Sequence, residues 1–383
     1  MTTDKKQAGE TPRNDAGRFH CSHALRLSGR EWLVVAAVFL AMVALAPVMW
    51  ERFERFDPDA DYRLPYELTN DYWLYQRYND WACQRGKVLV VGDSVVWGHY
   101  VPPAETLPAY LNDLAGGGRF ANLGLDGTHP AALAGLLAHY GRGLSGRKIV
   151  LHFNPLWLTS ARHDLQTTKE FHFNHAELVA QFRPRIPCYK APFAKRLRIA
   201  AGREIPFANW MAHMRTTYFD GMDLPAWTLE NPYRNPLASL TPGLPAPAGP
   251  PDPAGGSWVD KGAKKQPLAW VELGTSLQWQ FFRRTIDRLR ERENDVFVLV
   301  GPFNEHMLNE RDATRYNAIK TGVESWCREN SVPCFVPSVL PAEYYVDASH
   351  PVGQGYDLLA QQLWTHLSFQ SFLGQDIAAT ESP

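Results

Sequence analysis

The amino-acid sequence predicts an α/β fold: a three-layer, doubly wound domain on a five-stranded parallel sheet. Two observations carry this expectation. Short apolar runs recur along the chain with helical patterns between them, and the runs end in turns rich in Gly, Asn and Asp. A length of 383 residues suits one large domain with attachments. Hydrophobic content of 45% against 21% charged residues is ordinary for a chain with a real core. A formal net charge of −1 supplies no field for steering nucleic acid, which we exclude as a partner.

In chain order, residues 1–30 read as a basic tail. Lys5, Lys6, Arg13, Arg18, Arg26 and Arg30 outnumber Asp4, Glu10 and Asp15. Residues 31–50 hold the uncharged run WLVVAAVFLAMVALAPVMW from Trp32 to Trp50. Such a run has about the length a helix needs to cross ~30 Å of hydrocarbon, and its end tryptophans suit the two interfaces. The positive-inside rule then puts the tail in the cytoplasm and exports the rest, giving a single-pass protein of the cytoplasmic (inner) membrane. A cleaved signal peptide fits less well. The basic region is long, and the one small-residue exit, Ala44-Leu45-Ala46, is followed by Pro47.

Residues 51–85, charged and aromatic, read as a stalk that runs helically off the membrane and packs on the domain. Strands are expected at Lys87–Val91, Arg119–Leu123, Lys148–Phe153, Val296–Gly301 and Pro333–Val336. The core run of each is short and mainly apolar, as strands covered on both faces are. Helices are expected near Ala104–Leu114, Pro130–Tyr140, Gln278–Glu293, Arg311–Glu329 and Val352–Leu367. In the third of these, Phe282, Ile286 and Leu289 share one face. The stretch 155–271 is too long for one crossover and reads as a partly helical insertion after the third strand, with a Pro/Gly-rich loop at 235–267. Residues 371–383 read as a tail, closing a domain that spans 86–370. Of the five cysteines, Cys21 falls in the cytoplasmic tail and Cys83, Cys188, Cys327 and Cys334 in the exported part. Disulfides persist in that compartment, and the sequence leaves their pairing open.

The chemistry-bearing residues sit where strands end. Val91-Gly92-Asp93-Ser94 follows the apolar run KVLVV, and a nucleophilic serine needs that exposed strand-end position beside a free amide. Asp347-Ala348-Ser349-His350 precedes the last helix, so His350 is placed to take the Ser94 proton while Asp347 orients the ring. Between them, Asn122-Leu-Gly124-Leu-Asp-Gly127 ends the second strand, and His152-Phe-Asn154 ends the third. Gly127 offers a backbone N–H and Asn154 a carboxamide to an oxyanion. Each of these residues taken singly has a plainer reading, as a helix cap, an Asx turn or ordinary turn chemistry.

Taken together and in this order, the four blocks resemble the SGNH/GDSL hydrolase superfamily: its GDS block, its Asn-x-Gly-x-x-Gly block, its Gly-x-Asn block and its closing Asp-x-x-His block. The resemblance covers about Lys87–Leu367 without the insertion. It implies a flavodoxin-like sheet, a Ser94–His350–Asp347 triad, and an oxyanion hole formed by Ser94, Gly127 and Asn154. No cofactor and no metal is implied. The chain departs from the pattern at Val95, at His152 in place of the small residue before Asn154, at Pro155, and in the insertion.

The activity this implies is serine-dependent ester hydrolysis or O-acyl (acetyl) transfer, on an acylated carbohydrate or a small ester. The alternative is a non-catalytic, carbohydrate-binding partner of a membrane acyl-export system, a membrane acyltransferase among them. His172-x-x-His175 lacks a third ligand at metal spacing and reads as two surface histidines. His99, His129 and His152 lie near the proposed site, one of them a candidate for lining it. The insertion's tryptophans are open to two readings, a sugar-stacking platform or packing.

Overall fold

Five strands pair side by side, all parallel, in the computed structural model of the chain, which describes residues 27–243, 256–262, 265 and 267–374. They are β1 (Val88–Gly92), β2 (Phe120–Gly124), β3 (Lys148–Phe153), β4 (Asp295–Val300) and β5 (Cys334–Phe335), in the order β2-β1-β3-β4-β5. In register, Gly92 stands opposite Gly124, and Phe153 opposite Val300. Ser94, Gly127 and Asn154 therefore follow the ends of neighbouring strands β1, β2 and β3, at the carboxyl edge where doubly wound sheets bind ligands. The order reverses at β1, beside which β2 and β3 lie on opposite sides.

The described helices are α1 (Gly29–Phe53), α2 (Tyr72–Gln84), α3 (Ser94–Trp97), α4 (Leu107–Leu114), α5 (Pro130–His139), α6 (Phe193–Gly202), α7 (Pro206–Tyr218), α8 (Leu224–Glu230), α9 (Leu277–Glu291), α10 (Glu310–Glu329), α11 (Gly353–Thr365) and α12 (Leu367–Leu373). Alternate strand residues feed two apolar layers. Leu89, Val91, Leu151 and Val298 pack with residues of α2, α5, α9 and α10 on one face. Val88, Val90, Val150 and Phe297 pack with α4, α11 and α12 on the other. Each such side chain stabilises the fold by roughly 1.5–3 kcal/mol on burial.

The chain divides into two compact units, residues 1–45 and 46–383. The first contains the greater part of α1, an apolar helix long enough to cross a membrane. The sequence readings for Cys21 and most of the N-terminal tail lie outside the described residues. So do residues 244–255, 263, 264 and 266 of the Pro/Gly-rich loop, of which Pro236–Ser239 forms a short 3-10 turn.

Several elements differ in detail from the sequence reading. The helix expected near Ala104–Leu114 begins only at Leu107, because the Thr106 hydroxyl caps α4 by accepting from Ala109 N. The last long helix breaks at His366, and α12 extends into residues read as tail because Phe369 and Leu373, four apart, both bury against the sheet. Residues 51–85 are woven into the core: Tyr62, Arg63 and Leu64 are fully buried, and α2 contributes Leu74, Tyr75 and Tyr78. The insertion also grips the sheet layer. Asp164 accepts the Leu277 and Gln278 amides at the start of α9 (2.9 and 3.0 Å), placing a carboxylate where the helix exposes its unpaired N–H groups.

Candidate active site

β1 ends at Gly92, and Asp93 starts α3 by accepting the Val95 amide at 3.0 Å. Ser94 thus occupies the first helical position, where no carbonyl one turn earlier is available to its N–H. Its side chain is partly exposed while Val95, Val96 and Trp97 behind it are buried. Two neighbours hold this short helix. Asn122 at the end of β2 donates to Val96 O (3.0 Å), and Tyr356 of α11 donates to Val95 O (2.7 Å). Gly124 lets β2 approach so closely that a Cβ there would stand 2.3 Å from the Trp97 nitrogen.

The loop before α11 brings its imidazole to this serine. His350 Nε2 lies 2.8 Å from Ser94 Oγ, and its Nδ1 lies 2.9 Å from both carboxylate oxygens of Asp347. A carboxylate only accepts, so Nδ1 carries the proton and Nε2 presents a lone pair to the serine hydroxyl. Asp347 Oδ1 also accepts the Ser349 and His350 amides, each at 2.9 Å, and Tyr100 donates its hydroxyl to Oδ2 at 3.3 Å. The loop closes on itself through Val346 N to His350 O (2.8 Å). Asn304, after β4, buttresses it by donating to Asp347 O and, from its backbone, to Ala348 O.

These contacts set the electrostatics. Burial pushes the Asp347 carboxyl up, but hydrogen bonding to His350, the charge of that ring and the two amides outweigh it and hold the group down at about 2. Burial pushes His350 the other way, toward neutrality. Hydrogen bonding to Asp347 and the charges of Asp347, Asp93 and Asp126 overcome that and raise its pKa. The imidazolium is thus the favoured form to stabilise when a proton leaves Ser94.

On the opposite side of Ser94, Asn154 reaches the nucleophile turn through Asp93. Its carboxamide donates to Asp93 Oδ2 at 2.8 Å, and its oxygen accepts from Leu156 N. One of its two N–H groups is engaged in that contact, leaving the second for an oxyanion. Trp157 Nε1 donates to the same Asp93 oxygen at 2.9 Å, and His152 Nδ1 stands 3.2 Å from the other. His152 Nε2 in turn lies 2.8 Å from Gly301 O. Burial raises the fully enclosed Asp93 carboxyl, yet the charge and hydrogen bonding of His152, with Asn154 and the Val95 amide, bring it below the ordinary value.

Gly127 lies in the turn after β2 at φ +68°, a conformation that favours glycine, and a Cβ there would meet Asn174 Nδ2 at 2.3 Å. The insertion shapes this turn, for His175 Nε2 bonds Asp126 O at 2.7 Å.

Sequence reasoning missed four residues that support the site. Arg63 sits in what reads as stalk, yet its guanidinium stacks 3.8 Å over Trp97 and donates to the Trp97, Gly98 and Val101 carbonyls. Tyr100 and Trp157 carried no signal beyond lying just past a chemistry-bearing block, and Asn304 none beyond following the fourth strand. Of the discounted candidates, His172 is exposed as expected, but His175 is buried, because Tyr72 Oη (3.0 Å) and Asp126 O occupy its two nitrogens. His129 is a buried cap of α5. Trp227, Trp258 and Trp270 are buried in packing rather than laid out as a platform. Among the described residues, no group of three or more His, Cys, Asp or Glu is placed to hold a metal ion. No protein-family model matches the chain, and no curated protein matches it at a significant level.

Proposed function

We propose that this chain is a serine esterase or O-acyltransferase resembling the SGNH/GDSL hydrolases, working on acylated carbohydrate outside the cytoplasmic membrane. The unbroken contact from Ser94 Oγ to His350 Nε2 (2.8 Å) and from Nδ1 to Asp347 (2.9 Å) is the observation that carries this reading. In the first half-reaction Ser94 Oγ bonds the acyl carbon as its proton passes to His350 Nε2. The amides of Ser94 and Gly127 and the free N–H of Asn154 receive the oxyanion. Collapse breaks the bond to the alkoxy oxygen, which takes the proton from His350 and leaves as an alcohol. Water or a sugar hydroxyl then gives its proton to His350 and bonds the acyl carbon, and collapse breaks the bond to Ser94 Oγ, which takes the proton back from His350.

The anchor reading supports the compartment. The apolar part of α1 has the length and composition of a membrane span, and the basic tail before it favours an exported domain. A tethered enzyme in that setting meets envelope or exported polysaccharide. The test is turnover of p-nitrophenyl acetate by the purified full chain in detergent. Ser94→Ala is expected to lower kcat by about 10⁴-fold or more, as loss of a triad nucleophile does. Unchanged turnover would instead support a non-catalytic partner of a membrane acyltransferase.

A further inference from the structure

A second imidazole–carboxylate pair stands beside the triad and has no part in the acyl-transfer steps above. His99 follows the nucleophile helix and Asp126 immediately precedes Gly127, so both belong to turns that build the site. His99 Nδ1 lies 2.6 Å from Asp126 Oδ1. As at His350, the carboxylate claims the Nδ1 proton and leaves Nε2 as the free edge of the ring. That nitrogen bonds to nothing among the described residues. The side chains are 20% and 15% exposed, open enough to meet a solute and buried enough to be held.

The His99 ring is placed with respect to the reacting atoms. Its centroid is 5.8 Å from that of His350, and Tyr100 packs edge-on against both rings, at 4.8 and 5.3 Å. Arg63 fixes the backbone just before it through the Trp97 and Gly98 carbonyls. Asp126 is fixed in turn by His175, whose Nε2 bonds its carbonyl. Two oriented imidazoles, one bonded to the nucleophile and one free, suit an alcohol with more than one hydroxyl. With the oxygen that gives or takes the acyl group at His350 Nε2, a neighbouring hydroxyl of the same ring would come within reach of His99 across this 5.8 Å ring spacing.

Resting on the catalytic reading, we propose that His99, oriented by Asp126, is a specificity-determining residue that hydrogen-bonds a hydroxyl adjacent to the ester oxygen, and so selects polyol esters, sugars above all, over simple alkyl or aryl esters. A site that pairs with a substrate hydroxyl discriminates strongly against a substrate lacking it, because its polar groups are then left unpaired.

The experiment compares two esters on the full chain in detergent: p-nitrophenyl acetate, and a mono-O-acetylated methyl glucopyranoside whose ester is flanked by free hydroxyls. His99→Ala is expected to lower kcat/KM for the sugar ester by about 10-fold or more, chiefly through KM, while p-nitrophenyl acetate changes less than about 3-fold. The aryl ester reports folding and an intact triad at once. Equal losses on both esters would place His99 in service of the triad and overturn the proposal. Sugar-ester turnover that is abolished by Ser94→Ala but untouched by His99→Ala would overturn this proposal and leave the catalytic reading standing. A wild-type chain inert to both esters would overturn the two together.

Discussion

Asp347 is held at about 2 and His350 is raised above the ordinary imidazole value, each chiefly through its hydrogen bond and charge interaction with the other. Only the neutral ring can take the Ser94 proton. Activity is therefore present above the His350 pKa and lost as pH falls through it. For kcat/KM of the free protein the acid limb is expected above about pH 6.5, the unperturbed imidazole value. Asp347→Asn removes the main cause of the raised value and allows the wrong tautomer. It should move that limb to lower pH and reduce kcat by about 10⁴-fold. A pH–rate profile of both proteins checks the two expectations, and an unmoved limb would contradict the assignment of base and orienting group. At this scale the sequence was informative where chemistry is contiguous: Ser94 ends a strand run, and Asp347 and His350 share one loop. It was silent where partners come from distant segments. Nothing in residues 148–157 announced that His152, Asn154 and Trp157 all converge on Asp93, since that depends on how β3 abuts β1.

Among the elements, the segment between α1 and β1 was the least legible. Its charge and aromatics fit a solvated stalk equally well, because amphipathic side chains such as Arg and Tyr read as surface until their partners are known. Arg63 is the clearest case. It is fully buried with its guanidinium committed to three carbonyls and a tryptophan face, and burial lowers its pKa to about 10, leaving it a cation at neutral pH. Arg63→Lys keeps the charge but loses the planar fork that serves several carbonyls together. We expect it to destabilise the protein by about 1–3 kcal/mol. A shift of the α3–His99 turn should also lower kcat by about 10-fold, short of the 10²-fold that a 1 Å misplacement brings. Thermal melts with p-nitrophenyl acetate kinetics distinguish these effects, and normal values for both would show that this turn needs no clamp. The insertion was legible only as an interruption. Its compositional bias and lack of period gave no hint that Asp164 would cap α9 or that His175 would pin the Asp126 turn.

For the molecule as a whole, the parallel sheet and the edge that carries the candidate site follow from hydrophobic pattern, whereas the strand order and the polar joints between segments do not. One such joint lies within residues 46–383. His213 of α7 is fully enclosed, with Nδ1 2.6 Å from Asp71 and Nε2 3.1 Å from Glu54. Arg77 pairs with the same glutamate, and Tyr218 donates to it. Burial alone would lower the ring's pKa, but Asp71 and Glu54 raise it to about 9. A raised value means stability that is fully present below the unfolded pKa of about 6.5 and lost as pH climbs through about 9. The melting temperature of the full chain should thus decline over that window. His213→Gln should start lower and lose this component of the slope, and identical slopes would show that the ring stays neutral throughout. Trp50 packs against Tyr218 at this joint, and Arg55 N bonds Pro242 O, so the chain is committed to the folded body within a few residues of its apolar stretch. One consequence concerns how the folded body could be set free if α1 is the proposed anchor. A protease cutting anywhere between Glu54 and Arg85 would separate the wall that contains Tyr62, Arg63 and α2 from the sheet it covers. Shedding the body with its core intact would require scission upstream of Trp50, inside the apolar segment or before it.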